Sequence, residues 1–199
     1  EEDFVNQNIY SYLMTKKEEY PQYLLKEKYW QFDSIEYFKL KSQIEYQGRQ
    51  IGSIPSISVN RGVTTGRNEI FIISSILKDE LIKHHQSASE IIKPLLQGRN
   101  IRKWIYEPSD QFLIFTRKGI KIEKYPSVLT YLSMFKPDLT PGEGRKKGDY
   151  EWYEIQDNTA YFVNFEKQKI IWGLTADKWA FAYDSSNHYL PSNGYILTS

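Results

Sequence analysis

Two stretches that set glycine beside arginine fix where this chain is expected to reverse direction. The first is Gly62-Val63-Thr64-Thr65-Gly66-Arg67-Asn68-Glu69-Ile70-Phe71, and the second is Ile92-Lys93-Pro94-Leu95-Leu96-Gln97-Gly98-Arg99-Asn100-Ile101-Arg102-Lys103-Trp104. Glycine opens backbone conformations closed to other residues, and arginine offers a planar fork of donors. Backbone amides and a guanidinium can therefore face one ligand surface. Apolar runs around these turns stay short, and even residues 70–73 fall far below the length of a bilayer-crossing helix.

A chain of 199 residues can form one large domain, or one domain with an appended helical arm. Hydrophobic residues make up 40% and mean hydropathy is negative, which predicts a soluble protein with no membrane segment. Glu1-Glu2-Asp3 is acidic, unlike the basic start of a secretory signal. Cysteine is absent, which excludes disulfides and thiolate metal sites and makes a cytoplasmic location the expectation. The first residue is not methionine and the last ones, Tyr195-Ile196-Leu197-Thr198-Ser199, form a strand-like run, so a piece of a longer protein is expected.

Net charge is only +1, but it is unevenly spread. Acids outnumber bases over residues 1–36, whereas Arg99, Arg102, Lys103, Arg117, Lys118, Lys121 and Lys124 make residues 97–124 basic. Trp104, Tyr106, Phe112 and Phe115 interleave with these cations, a mixture that suits nucleic acid. Composition alone favours a plainer reading, a strand pair with a solvated charged face.

Residues 3–29 carry a helical pattern with a break near Pro21 and are assigned to an arm or linker. Asp33 and Glu36 make a capping-box-like start for a second helix over 34–46. Ile57, Val59 and then residues 70–73 read as two strands joined across 61–68 in a hairpin-like turn. Ser87 and Glu90 open a helix expected to stop at Gly98. A strand at 113–115, a helix from Tyr125-Pro126 through Phe135 and a loop over 138–149 follow. Further strands are expected at 152–155, 169–173, 179–183 and 195–197. The sum is an α+β, mixed-sheet domain over residues 30–199 with a helical N-terminal arm over 1–29.

Groups for catalysis are scarce. His84 and His85 are adjacent on a helix, so their side chains diverge, and His188 stands alone; no metal site is expected. Gly142-Glu143-Gly144 lacks the spacing and preceding strand of a nucleotide-binding turn. Asp138 with Glu154 loosely echoes a metal-dependent nuclease pair, which leaves a small nuclease as one alternative. Five tryptophans, sixteen tyrosines and ten phenylalanines leave a second, an aromatic carbohydrate- or peptide-binding groove. The arginines read either as parts of a hairpin turn, a helix C-cap and a solvated loop tip, or as a DNA-gripping set. Arg67 and Asn68 are candidates for base edges, arginine for guanine and asparagine for adenine. Arg99, Arg102, Lys103, Lys118, Arg145, Lys146 and Lys147 complete the candidate DNA-binding set, with no catalytic residue among them.

The order of these elements resembles the C-terminal specificity, or target-recognition, domain of TaqI-type adenine-specific DNA methyltransferases, also found in type IIG restriction-modification enzymes. The resemblance lies in Arg61-Gly62-Val63-Thr64-Thr65-Gly66-Arg67-Asn68 leading into Phe71, and in Ile92-Lys93-Pro94-Leu95-Leu96 with Gly98-Arg99-Asn100-Ile101. It continues through Tyr125-Pro126 with Leu132 and Phe135, Trp152-Tyr153-Glu154-Ile155, Phe165-Glu166-Lys167 with Lys169-Ile170-Ile171, and Tyr183-Asp184. It departs from the family after Leu139, where the family has an early arginine and this sequence has Arg145 inside a glycine-rich insert. Neither an Asn-Pro-Pro-Tyr-like motif nor a glycine-rich cofactor turn occurs.

The resemblance implies a domain that embraces double-stranded DNA opposite an upstream methyltransferase domain of the same chain. Phosphate contacts would position it and base-edge contacts specify it, while the partner domain flips adenine out for methylation. This part would itself be no enzyme and bind no cofactor; S-adenosylmethionine would belong to the parent's catalytic domain, which could also be fused to an endonuclease. The setting implied is a restriction-modification or phage-defence system.

Overall fold

A computed structural model describes residues 8–16, 21–22, 33–157, 159–175 and 178–199. The contacts divide the chain into two units, Glu1–Ser53 and Ile54–Ser199. In the first, α1 (Ile9–Lys16) is the described helix within the span expected over 3–29; apart from residues 8 and 21–22, the rest of that expectation lies outside the described residues. Helix α2 (Ile35–Gln47) forms where expected, but its cap is Ser34, whose hydroxyl accepts the Tyr37 N–H at 3.2 Å; Asp33 does not serve. No residue of α2 is buried.

The second unit is α+β, with two antiparallel sheets and single parallel bridges at their margins. One sheet orders its strands β1-β7-β5-β6 and the other β2-β4-β3. The first comprises β1 (Ser58–Arg61), β5 (Lys169–Gly173), β6 (Phe181–Asp184) and β7 (Gly194–Thr198). The second comprises β2 (Ile72–Ser74), β3 (Ile92–Leu95) and β4 (Gln111–Ile114). Alternation decides which side of β5 is covered: Lys169 and Ile171 point inward and Ile170 points out. Proline at position 94 is tolerated because β3 is an edge of its sheet.

The expected hairpin across 61–68 does not exist. β1 pairs with β7 and β2 pairs with β4, so residues 62–68 cross from one sheet to the other. Gly62 is glycine for proximity: a Cβ there would lie 2.1 Å from the Pro191 carbonyl oxygen. Its N–H donates to Gly194 O (2.8 Å) and that of Val63 to Leu190 O (2.7 Å). Gly66, by contrast, sits at φ 80°, the left-handed region glycine favours.

Other elements also moved. Residues 68–71 wind one helical turn, α3 (Asn68–Phe71), before β2 begins. The helix expected from Ser87 to Gly98 is one turn, α5 (Ala88–Ile91), running into β3, where the β-branched Ile91-Ile92 pair favours extension. Between them α4 (Ser75–His84) is capped by Ser74, which accepts the Leu77 N–H. Trp152 to Ile155 is a turn, not a strand, tied to the sheet region by the Ile155 N–H bond to Thr116 O (2.8 Å). The helix at Pro126 is α6 (Pro126–Ser133), which buries Val128 and Leu132 one turn apart; α7 (Lys136–Leu139) follows and buries Leu139.

The core joins Phe71, Leu95, Leu96, Leu113, Ile114, Leu132, Leu139, Ile155, Phe165, Tyr189 and Ile196. Tyr189 stacks on Phe165 with ring centres 4.7 Å apart and packs on Phe115 at 5.0 Å. Residues 189–191 stitch the two sheets together. Tyr189 N–H donates to Pro94 O (2.8 Å) and Leu96 N–H to Tyr189 O (2.9 Å), while single bridges join Leu95 to Tyr189 and Val63 to Pro191.

Candidate nucleic-acid interface

Each loop bearing a candidate residue leaves a strand or helix of the second unit, and local hydrogen bonding decides which cations face water. Arg145, expected to grip phosphate, is instead 5% exposed. Its Nε donates to Leu139 O (2.7 Å), Nη1 to Glu154 O (2.7 Å) and Thr65 O (3.0 Å), and Nη2 to Trp152 O (2.9 Å) and Glu151 O (3.4 Å). These five bonds use every N–H a guanidinium has, so none is left for DNA. The ring of Tyr150 covers it at 4.6 Å. Arg145 thus fastens the insert to the carbonyl of Leu139, the residue after which the family's arginine is expected.

Arg67 lies against the same loop, bonding to Gly144 O (2.6 Å) and Asp138 O (3.4 Å) and pairing with Glu69 at 3.3 Å. Asn68 begins α3 and is exposed, and its Oδ1 accepts the Thr65 hydroxyl at 2.7 Å, which uses one of the two lone pairs on that oxygen. Glu154 is buried, with Oε1 accepting the Gly119 N–H and Oε2 the Glu151 N–H (2.9 Å). Both oxygens are therefore committed to backbone, and Asp138 is exposed, so this pair is not disposed as a nuclease centre. Among the described residues no group of three or more His, Asp or Glu is placed to hold a metal, and no helix is long and apolar enough to cross a membrane.

The second turn has the opposite character. After a 3₁₀ turn at Gly98–Asn100, Ile101 and Tyr106 pair in a short antiparallel bridge and Arg102 N–H donates to Ile105 O (2.9 Å). Arg102, Lys103, Trp104 and Ile105 form its exposed tip. Arg102 bonds to the Arg99 carbonyl and pairs with Glu107 at 3.2 Å, which holds the guanidinium at the surface without burying it. Lys103 Nζ lies 5.7 Å from the Trp104 ring centre. Arg99 is exposed nearby.

Lys118, on the exposed turn after β4, pairs with Asp149 at 2.6 Å, and this contact holds the Asp149 carboxyl below its ordinary value. Lys146 and Lys147 project from the loop that Arg145 anchors. The candidate set therefore splits. Arg145 is interior and Arg67 half-buried in the loop packing, whereas Arg99, Arg102, Lys103, Lys118, Lys146 and Lys147 reach solvent.

A buried charge cluster escaped the reading of the sequence. Lys169 Nζ stands 2.6 Å from Asp184 Oδ2 with both side chains fully buried, and it also donates to Phe165 O (2.6 Å) and Lys167 O (3.3 Å). Three acceptors around one nitrogen require the ammonium form, although burial pushes the Lys169 pKa down. Asp184 further accepts from Ser186 N–H (2.9 Å), His188 N–H (3.0 Å) and His188 Nδ1 (2.9 Å). Burial would raise the Asp184 carboxyl, but the hydrogen bonds from His188, Lys169 and Ser186 outweigh it and hold the group well below the usual carboxylate range. The available signal was alternation: Lys169 shares the inward side of β5 with Ile171, and Asp184 is its register partner on β6.

Comparison with curated proteins gave no match. Among solved structures, the chain is similar to the type IIL restriction-modification enzyme MmeI in complex with DNA, with a TM-score of 0.49 and 11% sequence identity. That similarity covers 75% of this chain, which spans 20% of the length of the MmeI chain. Residues 93–199, more than half of the sequence, match the model of the TaqI-like C-terminal specificity domain. The chain belongs to the TaqI-like C-terminal specificity domain family.

Proposed function

We propose that this domain reads a short sequence in double-stranded DNA as the specificity part of an adenine-specific DNA methyltransferase in a restriction-modification or phage-defence system. The family match over residues 93–199 carries this reading. In it, the exposed tip at 102–105 presents Arg102 and Lys103 to base edges, since a guanidinium fits the paired acceptors of guanine. Arg99, Lys118, Lys146 and Lys147 contact phosphates and set the register. Arg67 and Arg145 act indirectly by holding the loop from which Lys146 and Lys147 project.

The reading places methyl transfer in an upstream domain of the same protein, in the cytoplasm, and an endonuclease fused to that parent is compatible with it. In this reading S-adenosylmethionine belongs to that upstream domain, and the described strands pair antiparallel with no glycine-rich turn leading from one of them into a helix. No methylation step is derived from them.

Fluorescence anisotropy with a pool of labelled duplexes at low salt tests the proposal. Binding is expected, with affinity falling steeply as salt rises. Absence of binding to every duplex, while the full-length parent binds well, would remove independent recognition.

A further inference from the structure

The outer face of the four-stranded sheet is unlike a solvated one. Register aligns Arg61, Tyr195, Trp172 and Phe181 in one cross-strand row, and Val59, Leu197, Ile170 and Tyr183 in the next. Their inward-pointing neighbours Ile171, Ala182 and Ile196 are buried in the core. A sheet with one packed face ordinarily turns polar residues outward. These two rows instead hold aromatic and aliphatic side chains with a single charge, Arg61, and no acid.

The rings are already ordered for stacking. Trp172 stacks on Tyr195 with centres 5.5 Å apart and planes 14° from parallel, and Phe181 lies 5.5 Å from Trp172. Trp179 extends the series at 5.7 Å from Phe181 and is 83% exposed. Lys178 joins Trp172, Leu174 and Trp179 around a shallow cleft of about 270 Å³. Beside β6, Trp104 donates its backbone N–H to Phe181 O (2.7 Å) and is 74% exposed at φ 75°, a left-handed conformation costly for a bulky residue. Strain of this kind concentrates at positions that clamp ligands.

We propose that this aromatic edge binds unpaired nucleobases of a single DNA strand, the bases stacking on Trp179 and Trp104 while Lys103, Lys178 and Arg61 meet the phosphates. Flat rings interleaved with cations, and no acid in the two rows, complement a ligand that joins flat rings to negative charge. Bases inside a duplex are stacked on one another and cannot reach these rings, so the site is additional to duplex recognition and shares only Lys103 with it.

The test uses this chain with labelled oligothymidine of about 15 nucleotides, within the size range of single-strand sites. Anisotropy at low salt and tryptophan emission are followed together. The wild type is expected to bind with quenched emission, and Trp179→Ala to lose about tenfold in affinity. Trp179→Phe should restore most of that loss, which a bare effect of charge would not do. Duplex binding should be unchanged in both variants, whereas Lys146→Ala and Lys147→Ala should weaken duplex binding and spare oligothymidine. The proposal is overturned if oligothymidine does not bind or if Trp179→Ala binds it as well as the wild type. It is also overturned if sedimentation reveals a dimer that Trp179→Ala dissolves, which would assign the face to a second copy. Loss of duplex binding alone would strike the duplex reading and leave this one standing.

Discussion

The turn at residues 62–68 and the turn at 98–106 contain the same residue types and end in opposite surroundings. In the first, Arg67 bonds to loop carbonyls and Gly66 packs beside Arg145, so the cations are absorbed by structure. In the second, the local bridge from Ile101 to Tyr106 satisfies the backbone, and Arg102 and Lys103 remain at the surface. A cation goes inward where nearby carbonyls have no other donor and outward where the turn closes on itself. Arginine beside glycine is therefore ambiguous until the neighbouring backbone bonds are known.

That contrast breaks down first if Arg145 is dispensable. Arg145→Ala strands a group of loop carbonyls and is expected to destabilise the fold by about 5 kcal/mol in urea unfolding. Arg145→Lys should recover little, because an ammonium supplies three donors in place of five. Lys169→Met should cost about 3 to 5 kcal/mol by leaving the buried Asp184 carboxylate without its ammonium partner. The double variant Lys169→Met, Asp184→Leu should be much less damaged, a difference that a double-mutant cycle reads directly.

Acid tests the same buried pair. The Asp184 carboxyl is depressed in the fold, so its stabilisation is fully present above the ordinary carboxylate pKa of about 4 and is lost as pH falls through the lower folded value. Thermal melts from neutral to strongly acidic pH should show the decline beginning near that ordinary pKa, and Asp184→Asn should flatten it. At the exposed turn the effects are smaller and concern binding. Arg102→Ala is expected to cost about 1 to 3 kcal/mol of duplex affinity with little change in melting temperature. Lys147→Ala should weaken all duplexes alike and lower the salt slope by about 1. Unchanged binding in Arg102→Ala would leave the exposed turn without its assigned role, and unchanged binding in Lys147→Ala would do the same for the loop that Arg145 anchors.

Local pattern made parts of this fold legible. The apolar run at 170–172 marked β5, the run at 195–197 marked β7, and Tyr125-Pro126 marked the start of α6. Pairing was not legible, because Gly62 and Gly66 read as a hairpin whereas Gly62 is required by a carbonyl from residue 191, far along the chain. Residues 152–155 carried a strand-like composition, yet Glu154 and Trp152 give their carbonyls to Arg145, which a strand ladder would have claimed. The same long-range demand hid the fate of Arg145: a lysine- and glycine-rich surrounding reads as a solvated tip, and only the fold brings five acceptors to one guanidinium. Arg99, Arg102, Lys103, Lys118, Lys146 and Lys147 reach solvent, but Lys146 and Lys147 stand in the same local surrounding as the buried Arg145, so local composition does not separate exposed cations from buried ones.

The stitch at residues 189–191 also bears on when the domain can form. It holds Gly62 and Val63 on one side and Leu95 and Leu96 on the other, and β7 follows it at once to lie between β1 and β5. Each of these pairings closes a long stretch of intervening chain, which makes folding slow relative to a protein built from local contacts. On the ribosome, β1 has no strand to pair with until residues 194–198 emerge, whereas the β2-β4-β3 sheet can close once β4 is made. Residues 189–198 would then act as the step that closes the four-stranded sheet and ties it to the three-stranded one.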